Sequence, residues 1–179
     1  MISGSASRRY ARAIASIGQA NGNLETLAAE VERLALAIEK SPDLRTVLLN
    51  PGFSQTQRQT VLDQVCARLA LSKTSQTLAR LLLSRGRIAN VPGIAKSLRQ
   101  LVDEAAGRVR VRVTSARPLD TAAENRLRSA IGRATGKTVL METTVDTSLL
   151  GGVVAQVGDL VYDGSLRGEL AKLRARWQG

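Results

Sequence analysis

The N-terminal part of the chain repeats its apolar residues at helical spacing. Leu24, Leu27 and Val31 begin a series that continues at intervals of three and four residues. Such a series places its members on one face of an amphipathic helix. Similar stripes recur along residues 1–106 and predict six short helices joined by brief connections. Helices of this length and spacing pack as a bundle.

Polar residues and glycine mark the predicted helix ends. Ser41 precedes Pro42, a cap followed by proline at the first helical position. Ser54 and Gln57 have the spacing of a capping box, in which each side chain binds the other residue's backbone amide. Gly107 stops the sixth helix, because glycine tolerates the left-handed conformation that ends helices.

The spacing of apolar residues changes after Gly107, from a helical period to a period of two. Residues 108–113 alternate arginine and valine, which predicts a strand with valines inward and arginines outward. Thr121 with Glu124 predicts the cap of another helix, and residues 138–145 are again β-like. We therefore predict an α+β protein. It has an N-terminal six-helix bundle at residues 1–106 and a small C-terminal α+β domain at 107–179.

A hairpin and a last helix are predicted to close the chain. Two apolar runs flank Gly158 and Asp159, and glycine at the first turn position suits a type II′ turn. Asp163, Gly164 and Ser165 end the hairpin and cap the helix that follows. One face of that helix carries Leu166, Leu170, Leu173 and Trp177.

Composition narrows the possible chemistry. The chain of 179 residues contains no histidine, and so it lacks the usual general base at neutral pH and the commonest metal ligand. The single cysteine, Cys66, fits a reducing compartment. No apolar run approaches the roughly 20 residues that span a bilayer, and we expect a soluble chain. The Ser- and Arg-rich residues 1–12 are interpreted as the start of the first helix, with an organellar transit peptide as the alternative.

The net charge of +11 allows a nucleic-acid-binding alternative. The charge is spread along the chain, however, and aromatic residues for base stacking make up only 2%. The arginines at 108, 110 and 112 form a basic stripe, interpreted as a solvated face with a partner contact as the alternative. A basic surface for an acidic protein partner or a membrane-associated assembly fits this distribution at least as well.

Three segments resemble catalytic sites but have simpler interpretations. Residues 132–138 have three residues between their glycines, whereas a phosphate-binding loop needs four, and they are predicted to end a helix. Cys66 lies among apolar residues, which predicts a buried core position. Asp159 and Asp163 adjoin glycines at hairpin ends, where aspartate is favoured by turn chemistry. We predict no catalytic residue, no metal site and no cofactor, which leaves a small transferase or hydrolase disfavoured.

Residues 150–166 read LGGVVAQVGDLVYDGSL. This segment resembles the signature of the delta subunit of F-type ATP synthases, the family that includes the mitochondrial oligomycin-sensitivity-conferring protein. Residues 9–13 and 86–92 resemble two weaker motifs of the same family, in the same order. The matching signature residues, expected to be structural, are Gly151, Gly152, Gly158, Asp159, Asp163, Gly164, Ser165 and Leu166.

The resemblance implies a non-catalytic stator subunit. In such a subunit the helical bundle docks on the alpha subunits of the alpha/beta catalytic head, and the C-terminal domain holds the b-type peripheral stalk. It would be a peripheral membrane protein on the cytoplasmic face of a bacterial inner, or photosynthetic, membrane. In the family the first and fifth helices form the docking groove, which makes the candidate contacts Tyr10, Ala13, Ile14, Ile17, Leu78 and Leu82.

Overall fold

Our computed structural model describes residues 4–158, 160–168 and 170. Within them, the N-terminal unit consists of six α-helices, and a 3₁₀ turn at Ile88–Asn90 precedes the last of these. The helices are α1 (Gly4–Ala20), α2 (Leu24–Lys40), α3 (Pro42–Leu49), α4 (Gln55–Arg68), α5 (Lys73–Ser84) and α6 (Val91–Ala105). The predicted six-helix bundle is confirmed.

The predicted helix caps are present at α3 and α4. The Leu44 amide donates to Ser41 Oγ at 3.3 Å, with Pro42 in the first turn. At α4 the Gln57 amide donates to Ser54 Oγ at 3.2 Å, and the Ser54 amide donates to Gln57 Oε1 at 2.9 Å. At each helix start, the serine Oγ accepts from a first-turn amide that has no partner within the helix.

Aliphatic side chains fill the centre of the bundle, as the low aromatic content requires. Cys66 is buried among them, and burial raises the pKa of its thiol, which the nearby Asp63 charge raises further. The largest fully buried aliphatic side chains are Leu27, Leu48, Leu62, Leu82, Ile94 and Leu98. Each contributes about 1.5–3 kcal/mol of hydrophobic stabilisation.

A buried carboxylate joins α2 to the start of α5. Glu30 is 5% exposed, and its Oε2 accepts hydrogen bonds from the Ser72 amide at 3.1 Å and from two hydroxyls, Ser72 Oγ and Ser75 Oγ, both at 2.6 Å. Burial by itself would raise the pKa of Glu30, but the hydrogen bonds from Ser72 and Ser75 outweigh it and lower the pKa below its ordinary value. The ionised carboxylate therefore stabilises the bundle.

Replacing Glu30 by glutamine is expected to lower the free energy of unfolding by about 1–3 kcal/mol at neutral pH, because charge-assisted hydrogen bonds are lost. A carboxyl group whose pKa is lowered by folding stabilises the folded state at pH values above its unfolded-state pKa. This stabilisation is lost as the pH falls through the folded-state pKa. The difference between wild type and Glu30→Gln should therefore shrink in acid. Urea unfolding at about pH 7 and about pH 3 measures it.

The exposed Glu32 lies on the same helix, and Glu32→Gln is the matched control. It should change stability by roughly 0.5 kcal/mol or less at either pH. A Glu30→Gln deficit that stayed constant between the two pH values would contradict the proposed role of the carboxylate charge.

The C-terminal unit is a four-stranded mixed sheet with one long helix. It comprises β1 (Arg108–Ser115), α7 (Thr121–Thr135), β2 (Thr138–Val145), β3 (Gly152–Val157) and β4 (Leu160–Ser165). The strand order is β2-β1-β3-β4, with β1 parallel to β2 and the other pairs antiparallel. This confirms the predicted α+β class.

Strand β1 follows its alternating pattern. Val111 and Val113 are buried in the small core of this unit, beneath apolar residues of α7 such as Leu127 and Ile131. Arg110 and Arg112 lie at the exposed positions between them. The valines thus attach the sheet to its helix, as predicted from the period of two.

The helix α7 begins one residue earlier than the sequence pattern indicated. Asp120, not Thr121, is its N-cap, and the Ala123 amide donates to Asp120 Oδ1 at 2.6 Å. A carboxylate at this position binds the free amide and also complements the positive end of the helix dipole. The prediction of a Thr121 cap was wrong for this reason.

Residue contacts divide the chain into units at Met1–Val102 and Asp103–Gly179, a few residues before the predicted boundary at 106/107. Asp103 is nearly buried, and it pairs with β1 through Arg110 Nε at 2.6 Å and Arg108 Nε at 3.4 Å. Asp103 is therefore tied by its charge to the strand that follows it. Arg110 Nη1 also lies 3.4 Å from Glu142 Oε1 on β2.

Candidate docking site

The six candidate contacts, four on α1 and two on α5, divide into buried and accessible ones. The inner face of α1 packs Ala11, Ile14 and Ala15 into the bundle core, and Ile14 is only 5% exposed. On α5, Leu82 is 0% exposed. The structure thus places Ile14 and Leu82 in the core, because they lie on the helix faces that the neighbouring helices cover.

The other candidates on α1 form an accessible stripe. Tyr10 is partly buried, Ala13 is exposed and Ile17 is 46% exposed. Their spacing of three and four residues keeps them on one side of the helix. We call Tyr10, Ala13 and Ile17 the α1 stripe.

A second stripe lies on α5, and only one of its two residues was among the candidate contacts. Leu78 is partly buried, and Leu81, which we did not predict, is 44% exposed. Leu81 and Leu82 both follow Leu78 at a helical interval, and the sequence offers no means of choosing between them. Leu78 and Leu81 are called the α5 stripe.

A basic cleft lies between the α1 stripe and the residues that follow the end of α5. It has a volume of about 570 Å³ and is lined by Arg9, Tyr10, Ala13, Arg85 and Arg87. The chain turns sharply here, with Gly86 at φ +64°, and the Arg87 amide donates to the Leu82 carbonyl at 2.7 Å. Arg85 also follows Leu81 by four residues, so it extends the α5 stripe.

This surface has the features of a binding site. Within the described residues there is no group of three or more acidic or cysteine side chains that could hold a metal ion. The helix-end interpretation of residues 132–138 is confirmed, because Gly136 is the left-handed C-cap of α7 and its amide donates to the Gly132 carbonyl at 2.8 Å. Exposed apolar side chains beside unpaired cations can bind an amphipathic helix.

The glycines at 151 and 152 allow a close crossing of the chain. Gly152 has φ +79°, and a Cβ there would lie 2.2 Å from the Gly164 carbonyl oxygen. A Cβ on Gly151 would lie 2.6 Å from Leu166 Cδ1. No side chain fits at either position without displacement of its neighbours.

Ser165 links the hairpin to the next helix. Its amide and its Oγ both donate to Asp163 Oδ1, at 2.9 Å and 2.7 Å, and its Oγ accepts from the Gly168 amide at 3.0 Å. The hydroxyl therefore caps the helix that begins at Leu166, while Asp163 orients it. Residues 166–168 and 170 are helical; Leu173 and Trp177 lie outside the described residues.

The two-residue hairpin turn is confirmed by the pairing of Val157 with Leu160. Gly158 has φ +60°, as the turn requires. Asp159, the other turn residue in the signature, lies outside the described residues. These contacts give the signature residues that are described a structural role in the hairpin and in the helix start.

Comparisons with known proteins agree on one family. The family model described as ATP synthase delta (OSCP) subunit matches residues 6–176. The chain is 45% identical over 174 residues to ATP synthase subunit delta of Anaeromyxobacter dehalogenans (strain 2CP-C), with 97% of each chain covered. It is 39% identical over 176 residues to that of Myxococcus xanthus (strain DK1622), again with 97% of each covered.

A solved structure has the same fold. A chain of the cryo-EM structure of the Toxoplasma gondii mitochondrial ATP synthase hexamer superimposes with a TM-score of 0.73, with 97% of each chain covered and 18% sequence identity. No helix in the described part of the chain is both long enough and apolar enough to cross a membrane.

Proposed function

Because the chain belongs to the ATP synthase delta (OSCP) subunit family, we propose that its helical unit docks on the catalytic head and its C-terminal unit on the peripheral stalk. It is a non-catalytic stator subunit of F-type ATP synthase. It therefore takes part in ATP synthesis and proton transport through the membrane-associated complex. The proposed contacts are the alpha subunits, with the beta subunits of the same head, and the b-type subunits.

The stator role follows from the torque that acts on the catalytic head. Rotation driven by proton flow exerts a torque on the alpha/beta head, and a stator has to resist it for the rotation to be coupled to ATP synthesis. Binding through apolar side chains at helical spacing gives a tight, non-covalent attachment. We propose that the subunit is a peripheral membrane protein at the cytoplasmic face of a bacterial inner, or photosynthetic, membrane.

The exposed α1 stripe is the observation that supports docking on the head. Ile17 presents a β-branched side chain to solvent beside Tyr10 and Ala13, while the opposite face of α1 is buried in the bundle. Folding of the bundle alone does not require an exposed isoleucine here. An amphipathic helix, proposed to be the N-terminal segment of an alpha subunit, would cover this stripe and the α5 stripe together.

Exposed apolar residues near β4 support a contact with the b-type subunits. Leu160, Val161 and Tyr162 lie on this edge strand, and each is at least 60% exposed. Leu150 and Leu166, which flank the glycine crossing, are also exposed. An exposed apolar patch of this kind marks an interaction surface in a soluble protein.

The replacement Ile17→Asp is expected to weaken binding of a synthetic peptide copying the N-terminal segment of the alpha subunit by about 2 kcal/mol. The introduced carboxylate would lose hydration in an apolar contact without gaining a partner. Titration calorimetry on the full-length chain measures the effect, and circular dichroism verifies folding.

The matched control is Leu36→Asp. Leu36 on α2 is 45% exposed, compared with 46% for Ile17, so the two variants introduce the same charge at equally accessible positions of one unit. Leu36→Asp should leave the peptide affinity unchanged. Equal losses in both variants would argue against the α1 stripe as the contact.

The nucleic-acid alternative predicts affinity for a single-stranded oligonucleotide that falls steeply with salt. The comparisons give it no support. Some of the basic residues that suggested it are paired within the chain, as Arg80 is with Asp63 at 2.8 Å and Arg110 with Asp103 at 2.6 Å.

A further inference from the structure

We propose that the basic cleft is an acceptor for acidic side chains of the docked helix and that it fixes the direction in which this helix lies. The inference rests on the proposed docking function and adds a charge requirement to it. The expected partner is an amphipathic helix with aspartate or glutamate at one end of its apolar stripe.

The cleft collects positive charge that no carboxylate of the described residues neutralises. Arg9, Arg85 and Arg87 line it, all three are exposed, and its remaining lining residues are Tyr10 and Ala13. Within the described part of the chain, none of these three guanidinium groups lies within salt-bridge distance of a carboxylate. The segment that forms α1 contains three arginines and no acidic residue.

The position of the cleft determines which end of a docked helix meets the arginines. Arg9 and Tyr10 lie near the beginning of α1, whereas Arg85 directly follows the end of α5. The α1 stripe and the α5 stripe therefore both run away from the cleft, toward Ile17 and Leu78 respectively. A helix that covered both stripes would bring only one of its ends to the arginines.

Guanidinium groups suit this task. Arginine presents a planar set of donors that matches a carboxylate in two parallel hydrogen bonds. Three cations at the rim of an apolar contact attract an acidic end and repel a basic one, so that the reversed orientation is disfavoured. Such pairs act through orientation and association rate as well as affinity.

A simpler role for Arg85 has to be separated from this one. A cation at the end of α5 complements the negative end of the helix dipole, as Lys40 does in the last turn of α2 and Arg68 in the last turn of α4. Neither Lys40 nor Arg68 lines the cleft. The double variant Lys40→Glu/Arg68→Glu thus matches Arg85→Glu/Arg87→Glu in charge change, and both of its residues lie, like Arg85, at the C-terminal end of a helix.

The experiment titrates full-length protein with the N-terminal alpha-subunit peptide and with a second peptide in which each aspartate or glutamate is replaced by its amide. At about 50 mM salt, Arg85→Glu/Arg87→Glu should bind the acidic peptide roughly tenfold more weakly than wild type. The loss should shrink at about 300 mM salt and be absent with the amide peptide. Lys40→Glu/Arg68→Glu should bind like wild type.

Two results would overturn the inference. One is an equal loss in the two double variants; the other is a loss of the same size with the acidic and amide peptides. In either case, peptide binding that remains sensitive to Ile17→Asp leaves the proposed docking function intact. If wild type binds neither peptide, the docking function fails and the inference fails with it. Competition by inorganic phosphate or an oligonucleotide at the same arginines, without binding of the acidic peptide, would assign the cleft to another anion.

Discussion

The variant Ile14→Asp is expected to unfold the helical unit, with a loss of about 5 kcal/mol or more in the free energy of unfolding. Ile14 is 5% exposed and packs within the apolar core of the bundle. The substitution removes the burial of an isoleucine, about 1.5–3 kcal/mol, and places a carboxylate without a cationic partner in its position. Domains are stable by only about 5–15 kcal/mol, so a change of this size removes most of the margin.

Circular dichroism and urea unfolding of the full-length chain measure the effect. Ile17→Asp, three residues further along the same helix, is the matched control, because Ile17 is 46% exposed and its replacement carboxylate stays hydrated. It should lie within roughly 1 kcal/mol of wild type. A folded Ile14→Asp variant that failed to bind the alpha-subunit peptide would return Ile14 to the groove, contrary to its burial here.

The contrast between Ile14 and Ile17 shows what periodicity predicts. The spacing of apolar residues in α1 predicted a helix and its apolar side. It did not predict how far around that side the neighbouring helices reach, because this depends on the packing of the whole bundle. Leu81 and Leu82 pose the same problem on α5, where one residue is 44% exposed and the other 0%. Local patterns predict elements more reliably than they predict which face is free.

Long-range polar contacts could not be predicted from the sequence, for a related reason. Glu30 and Ser72 are 42 residues apart in sequence, and neither has a local pattern that indicates the other. Ser72 could be predicted as a helix cap from its position alone, and it is one. Its second task, donating to Glu30 Oε2, exists only because the bundle brings α2 against the start of α5.

For the arginines of β1, the sequence predicted the side of the strand but not the ion pair. Alternation with valine correctly placed Arg110 on the outward side of β1. The pattern predicts a solvated face, with a partner contact as the alternative, whereas Arg110 Nε lies 2.6 Å from Oδ2 of the buried Asp103. The pairing depends on where the chain brings Asp103 against β1, which a period of two does not specify.

The glycine positions of the signature differ in how strictly they require glycine. Among replacements by alanine, Gly152→Ala is expected to lower the stability of the C-terminal unit most. At φ +79° an L-residue is strained by roughly 1–3 kcal/mol. In addition, the new Cβ would lie 2.2 Å from the Gly164 carbonyl oxygen and 2.9 Å from the Ser165 Cα, both backbone atoms. Since the backbone cannot rotate aside as a side chain can, β3 and β4 would have to separate. We expect a total loss of about 4 kcal/mol or more in the C-terminal unit.

The control for this prediction is Gly136→Ala, because it isolates the clash from the backbone strain. Gly136 has φ +66°, and a Cβ there would have no heavy atom within 4 Å. Gly136→Ala should therefore lower the free energy of unfolding only by the backbone strain, roughly 1–3 kcal/mol. Amide hydrogen exchange reports the opening of each segment separately, so it can follow the paired amides of β3 and β4 while α1 to α5 serve as an internal reference. Faster exchange across the hairpin in Gly152→Ala than in Gly136→Ala would establish the close crossing as the reason for glycine. If the two variants exchanged alike, the sheet would be able to absorb a Cβ at this crossing, and the requirement would reduce to backbone conformation alone.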